Sequence, residues 1–424
     1  MSGTFASIGV FNYRLWFLGA AVSNIGTWMQ RTAQDWIILT ELTHQDAAAV
    51  GLSVALQFGP ILLLTPLSGL VADLFDRRRI LMITQASMGL LGLALACLYL
   101  TGLLELWMVY VLSLLLGVAS AFDGPARQAF VSELVSREYM SNAIGLNSMS
   151  MTVARLVGPA IAGGLTATIG AGWVFLINFA TFAATLAALV ALRRDELHVE
   201  RRPPGERPRM RDGIRYVLAH DDLVVVLIGA LVFGAIGMNL SIYLSTMASV
   251  AFGQGPDAFG LLSSIVAIGS VCGSLLAARR RRPTVWMAAL GGLAYGVAAV
   301  AAALSPSIWV FGVLITGLGV GSVTILNTSN AYVQLNSPPE VRGRVMAIYM
   351  ALVLGSSLFG GPLVGWVANA AGPRWALGVG ALGGLVPMTV TLVWWVVVRR
   401  ARFGWDSGRR WRLVIRTRPA GDAS

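Results

Sequence analysis

Apolar residues run along this chain in long blocks, with few polar breaks and no period-two alternation. A helix needs ~20 apolar residues to cross ~30 Å of hydrocarbon. Twelve blocks reach that length, at roughly 14–38, 48–73, 80–101, 106–125, 143–169, 172–192, 222–249, 259–278, 285–304, 308–332, 344–370 and 375–398. Only helices and closed barrels satisfy the backbone inside lipid, and barrel strands take only about 9–11 residues. The pattern predicts an all-α membrane protein of twelve transmembrane helices.

One long polar stretch, Arg193 to Asp222, interrupts the blocks. It contains Pro203, Pro204 and Pro208, and its last part, with Met210, Ile214, Val217 and Leu218 on one side, predicts a short interfacial helix. It divides the chain into a six-helix bundle (residues 1–192), a cytoplasmic linker (193–221), a second six-helix bundle (222–399) and a cytoplasmic tail (400–424). The tail, with Trp405 and Trp411 among arginines, reads as a membrane-surface anchor or as disorder. The halves repeat each other: "ARQAFVSELVSRE" (Ala126–Glu138) aligns with "TSNAYVQLNSPPE" (Thr328–Glu340) at a shift of 202, and Gly158-Pro159 matches Gly361-Pro362. Two pseudo-symmetric bundles are expected.

Composition agrees. The 424 residues are 56% hydrophobic and 12% charged, with mean hydropathy +0.72, against about 25% charged in soluble domains. All 31 basic residues besides histidine are arginine. Without lysine there is neither a Walker A phosphate loop nor a Schiff-base enzyme. His44, His198 and His220 lack metal-ligand spacing, so no metal or cofactor is expected. Cys97 and Cys272 read as buried, inert thiols. The first apolar run is too long for a cleavable signal. The net charge of +11 encodes topology, not nucleic-acid binding. All arginines but Arg31, Arg155 and Arg374 fall on one set of connectors. By the positive-inside rule both termini are cytoplasmic, in a multi-pass protein of the cell (inner) membrane.

Between the second and third blocks stands "GLVADLFDRRR" (Gly69–Arg79). It resembles the loop signature of the major facilitator superfamily, G-x-x-x-D-(R/K)-x-G-R-(R/K), matched at Gly69, Asp73, Arg77 and Arg78 and departing at Leu74 and Asp76. The resemblance implies a cytoplasmic gate. Gly69 would allow close helix approach, Asp73 would accept bonds at a helix N-terminus, and Arg77 would reach a carboxylate on another span, with Asp123 the candidate. Asp123 and Arg127 form an i, i+4 pair at the inner end of the fourth block. "RLVGPAIAG" (Arg155–Gly163) resembles the family's antiporter motif through Gly158, Pro159 and Gly163. "NYRLWFLGAAVSNIGTWMQRTAQDWIILTELT" (Asn12–Thr43) and "AFDGPARQAFVSELV" (Ala121–Val135) are similar to the enterobactin-exporter-type branch, which holds siderophore and drug exporters. The likeness runs from Asn12 to about Trp395 and implies a substrate site between the halves, near mid-membrane.

Ionisable residues within spans are functional candidates. Asn24, Trp28, Arg31 and Asp35 lie at i, i+4, i+7 and i+11, on one helix face, with Gln30 and Gln34 beside them. Asp35 has three readings: half of an intrahelical pair with Arg31, a substrate contact, or a proton carrier. Arg155, near mid-membrane, is either the counter-charge for an anionic substrate or a structural donor beside Pro159. Asn239 and Ser241, then Asn327, Thr328 and Asn330, are candidate lining groups in the second half. The expected function is proton-coupled export of a small amphipathic molecule (drug, siderophore or secondary metabolite) by alternating access, with the chain working as a monomer in the lipid bilayer. An importer or uniporter, or a membrane sensor that transports nothing, is the alternative. No constellation for an intramembrane enzyme is present.

Overall fold

The computed structural model describes residues 6–198, 210–278, 283–397, 402–406 and 412–416. In the first half lie α1 (Phe11–Ile37), α2 (Ala47–Leu74), α3 (Arg77–Leu100), α4 (Leu106–Leu134), α5 (Met140–Ile169) and α6 (Ala171–Ala191). α7 (Met210–Leu218) follows in the connector. The second half holds α8 (Asp221–Val232), α9 (Leu240–Thr246), α10 (Pro256–Ala278), α11 (Val285–Ala303), α12 (Ile308–Leu335), α13 (Pro339–Gly355), α14 (Ser357–Ala371) and α15 (Pro373–Val397).

Short polar side chains start the apolar helices, where four backbone N–H groups lack partners. Asp46 accepts from the N–H groups of Ala48 and Ala49 at 2.8 and 3.2 Å and opens α2. Asp76, Thr284 and Ser307 do the same for α3, α11 and α12. Gly170 (φ 89°) and Gly372 (φ 95°) make the turns after α5 and α14, a backbone region that side chains avoid. They lie 202 residues apart, the shift of the sequence repeat.

Eleven segments among the described residues are long and apolar enough to cross a membrane: α2 to α6, α8 joined to α9, α10, α11, α12, α13 joined to α14, and α15. α1 is long enough at 27 residues but falls outside this set. Asn24, Gln30, Arg31, Gln34 and Asp35 make it too polar, so eleven segments answer the expected twelve. A π-helical turn at Phe233–Gly237 separates α8 from α9. The only strands among the described residues are β1 (Arg402–Asp406) and β2 (Arg412–Arg416), an antiparallel hairpin in the tail. Pro203, Pro204, Pro208 and Arg279–Arg282 lie outside the described residues. Cys97 and Cys272 are exposed, not buried: their apolar helices turn them outward.

α1 packs on α5 and α6, and α2 and α3 on α4. In the second half α12 packs on α10 and α11, and α15 on α11 and α14. The halves meet where α2 crosses α13 and α14 and where α5 crosses α10. Glycine sets both distances. A Cβ on Gly51 would fall on the Gly361 carbonyl, and one on Gly163 would stand 2.8 Å from the Cα of Gly260. Hydrogen bonds between the halves among the described residues lie at one end and near mid-helix. Asn369 donates to Asp46 at 2.6 Å and accepts from the Ala47 N–H at 2.8 Å, while Ser264 donates to the Leu156 carbonyl at 3.2 Å. Trp36 stacks on Phe259 there, with ring centroids 5.8 Å apart. Toward the other end of α2, a Cβ on Gly69 would meet nothing within 4 Å. The close packing at the Gly51 and Gly163 crossings forms a seal between the halves, whereas a side chain at Gly69 would have room.

Overpacking a tight contact costs about 1–3 kcal/mol. Gly51→Ala should therefore lower the thermal unfolding midpoint of the purified protein, and Gly69→Ala on the same helix should leave it unchanged or slightly raised. Equal midpoints for the two variants would contradict this account of the seal.

Candidate functional site

Two guanidinium groups share one indole ring near the middle of the first half. α1 and α5 approach closely because Gly158 lacks a side chain: a Cβ there would lie 2.7 Å from the Cβ of Trp28. One turn before Gly158, Arg155 places its guanidinium 4.9 Å from the Trp28 centroid. Arg31, one turn after Trp28, lies 5.3 Å from the same ring and 4.9 Å from Phe58 of α2. Asp35 attracts Arg31 electrostatically but makes no ion-pair contact with it. The Nε of Arg31 is buried without a hydrogen-bond partner, and no ion pair joins Arg31 or Arg155 to an acid among the described residues. Aromatic faces attract cations by about 0.5–2 kcal/mol, which leaves the charge in place. Arg155 is nonetheless exposed, so its open side faces accessible space.

Asp35 answers the second half instead of Arg31. It is buried on α1 and accepts a hydrogen bond from the hydroxyl of Ser241 on α9. The close intrahelical ion pair read from spacing does not form, because the Arg31 side chain turns onto the aromatic rings, and only the longer-range attraction between the two charges remains. Asn239 is buried, and its amide donates to the Ala235 and Ile236 carbonyls at 2.6 and 3.3 Å. It satisfies carbonyls freed at the break before α9. Asn327 is exposed on α12.

The other polar residues of α1 bind the helix into its own half. Asn24 donates to Ser150 at 3.3 Å and accepts from Arg127 at 3.2 Å. Arg127 pairs with Asp123 at 2.9 Å, and Asp123 also accepts from Thr84 at 2.9 Å and Gln85 at 2.7 Å. This network ties α1, α3, α4 and α5. Gln34 donates to Ser53 at 3.1 Å and Ser113 at 2.9 Å, while Gln30 accepts from Asn178 at 2.5 Å. Helical geometry explains the division for the two glutamines, while Asn24 shares the Trp28 face and differs in depth. Gln30 and Gln34 lie about 80–140° around the helix from the Trp28–Arg31–Asp35 face.

The loop motif is built differently from the expected gate. Arg77 pairs with Glu133 at 2.8 Å, not with Asp123. Asp123 lies ten residues deeper in α4, about 15 Å away along the helix, and is engaged with Arg127. Arg78 is buried and donates to the Leu189 and Val190 carbonyls at 2.7 and 3.2 Å, at the end of α6, where a cation suits the helix dipole. The Asp73 side chain lies outside the described residues. Gly69 faces open space, as noted. In the antiporter motif, Gly158 serves α1, while the Pro159 carbonyl and Gly163 receive Gly260 of α10. Sequence reasoning missed Phe58, Glu133, Thr84 and Gln85. Glu133 stood inside the quoted repeat with nothing to set it apart from a surface acid, and Phe58 is one aromatic in an apolar run.

Removing one partner of a buried ion pair costs about 3–5 kcal/mol, because the other charge is stranded. Asp123→Ala should therefore lower the unfolding midpoint strongly. Adding Arg127→Leu to it should recover part of the loss. A double variant less stable than Asp123→Ala alone would contradict the stranded-charge account.

The sequence matches the family model described as transmembrane secretion effector over residues 2–403. The chain is 26% identical to the staphyloferrin A transporter of Staphylococcus aureus, over 77% of this chain and 82% of that one. It is 27% identical to the multidrug efflux pump Tap of Mycobacterium tuberculosis, over 80% and 82%, and 25% identical to the enterobactin exporter EntS of Escherichia coli, over 85% and 86%. Among solved structures, a D-xylose-proton symporter superposes with a TM-score of 0.68 at 14% identity, covering 91% of this chain and 97% of its own. An inward-facing, unoccupied bacterial homologue of the lysosomal transporter Spinster gives 0.67 at 14%, covering 90% and 95%. These two share the fold. The chain therefore belongs to the transmembrane secretion effector family of the major facilitator superfamily, and it is a multi-pass membrane transporter, not an enzyme.

Proposed function

We propose that this transporter exports a small amphipathic molecule bearing an anionic group, against proton entry, by alternating access. The observation that carries the reading is the pair of arginines on Trp28, with only Asp35 near and no ion-pair contact to either among the described residues. A charge near the bilayer centre costs about 2.5–3.5 kcal/mol even on insertion scales. Two like charges at one ring are tolerable where an anion regularly visits. Trp28 and Phe58 would hold the apolar part of that molecule, and its anionic group would lie between Arg31 and Arg155. The names of the siderophore and drug exporters among the relatives support the direction and the class of cargo.

In this reading α1 spans the membrane as a twelfth helix, polar because it lines the pathway. Residues 1–192 and 222–399 form two six-helix bundles that rock about the α2–α14 and α5–α10 crossings. Both termini are cytoplasmic, the membrane is the cell (inner) membrane, and the chain works as a monomer. The sealed end is then external and the open end cytoplasmic. Asp35 is the proton carrier. Closing the external end buries Asp35 against Ser241, which is cheap for a neutral carboxyl and costly for a carboxylate. A proton taken up from outside lets that end close. Its release inward, with substrate binding at the arginines, favours reopening outside, where the substrate leaves.

Inverted vesicles loaded with the chain and given an imposed proton gradient test this. Accumulation of an anionic dye or siderophore should follow the gradient in the wild type and be lost in Asp35→Asn at normal expression. Arg155→Gln should raise KM for anionic compounds about tenfold or more and spare neutral ones. Gradient-driven accumulation that persists in Asp35→Asn removes it as carrier. Accumulation indifferent to the gradient in the wild type would favour a uniporter.

A further inference from the structure

α7, in the connector, is built from four sectors that follow one another around the helix. Gly213, Tyr216 and Val217 face the second half. Val217 is buried with Leu223, Val333 and Val345. A Cβ on Gly213 would lie 2.7 Å from the Cβ of Arg344, and the Tyr216 hydroxyl donates to the Asn336 carbonyl at 3.0 Å. The next sector is Met210, Ile214 and Leu218, at i, i+4 and i+8, and they are 37%, 47% and 69% exposed. After it come Arg211 and Arg215, both exposed, with no hydrogen bond or ion pair among the described residues. Asp212 completes the circle and pairs with Arg344 of α13 at 3.1 Å.

The sequence pattern expected Val217 on the side of Met210, Ile214 and Leu218. The structure separates them: Val217 anchors the helix to the protein, and the other three are left bare. A helix docked on a soluble surface would turn its apolar residues inward. Here the order is protein, apolar, cationic, then the acid that ties back to Arg344. That is the order met by a helix lying flat where a bundle enters a bilayer. Its height agrees: Leu218 is three residues before Asp221, which begins a membrane-spanning segment, so it lies within about 10 Å of that start. An apolar stripe flanked by two unpaired guanidinium groups complements acyl chains joined to a negative headgroup.

We propose that α7 is a binding site for an anionic phospholipid of the leaflet on its side of the membrane, with the phosphate between Arg211 and Arg215 and an acyl chain along Met210, Ile214 and Leu218. Its assignment to the cytoplasmic leaflet rests on the orientation proposed above; the site itself does not. Among the described residues the Asp212–Arg344 pair and the Tyr216–Asn336 bond hold α7 to the second half, so the lipid grips that half.

The test uses the purified full-length chain in mixed micelles, titrated with phosphatidylglycerol or with phosphatidylcholine, and reads the unfolding midpoint and lipid retention by native mass spectrometry. Phosphatidylglycerol should raise the midpoint and be retained, and phosphatidylcholine should not. Each arginine contributes about fivefold in affinity, so Arg211→Gln with Arg215→Gln should weaken retention by about 30-fold and abolish the shift. Ile214→Asp should do the same. Arg79→Gln, on an 80% exposed arginine elsewhere, should keep the full shift. A double variant that keeps the shift, or an Arg79→Gln variant that loses it equally, overturns the proposal. Neither readout involves transport or sidedness, so failure of the exporter reading would leave this result standing.

Discussion

Charge inside hydrocarbon must find an opposite charge, a polar partner, an aromatic face or water, and the architecture of this transporter follows from where α1 finds each. Asn24 joins the Asp123–Arg127 pair, Gln30 reaches Asn178, and Gln34 reaches Ser53 and Ser113. Those bonds make α1 part of a rigid first half. Arg31 finds only aromatic faces, and Asp35 finds a hydroxyl on the other half. Of these groups, Asp35 is the one whose hydrogen bond crosses to the other half among the described residues.

Close backbone approach does for the interface what those bonds do for the half. At the α2–α14 and α5–α10 crossings, Gly51 meets Gly361 and Gly163 meets Gly260. Such contacts bring the backbones of the two halves together without interlocking side chains. The antiporter motif thus has two physical tasks in this chain. Gly158 admits Trp28 and so brings Arg155 to the ring, and Gly163 admits α10.

Much of the fold was legible because a bilayer reduces folding to a counting problem. Block length gave the helices, and Gly170 and Gly372, with positive φ, lie 202 residues apart, the shift of the repeat expected from sequence. The exception is instructive. α1 reads as a span by its length and resemblance, yet its polar face removes it from the purely apolar set. The site was legible only in part. Trp28, Arg31 and Arg155 were candidates from spacing and charge. The assignment of Asp123 to Arg77 failed because charge sign and nearness in sequence do not encode depth along a helix, and Glu133 sits about three turns closer to the end that Arg77 reaches.

By itself the sequence determined that the chain crosses a membrane many times, and it pointed to a doubled unit and to ionisable residues within apolar blocks. Those properties are set by residue type and order, since transfer into hydrocarbon acts on each residue where it stands. Only the tertiary structure decided the pairing: Arg77 with Glu133, Asp35 with Ser241, Arg31 and Arg155 with Trp28, and Val217 away from its apolar neighbours on α7. Pairing depends on helix rotation and depth, which arise from packing between segments far apart in the chain.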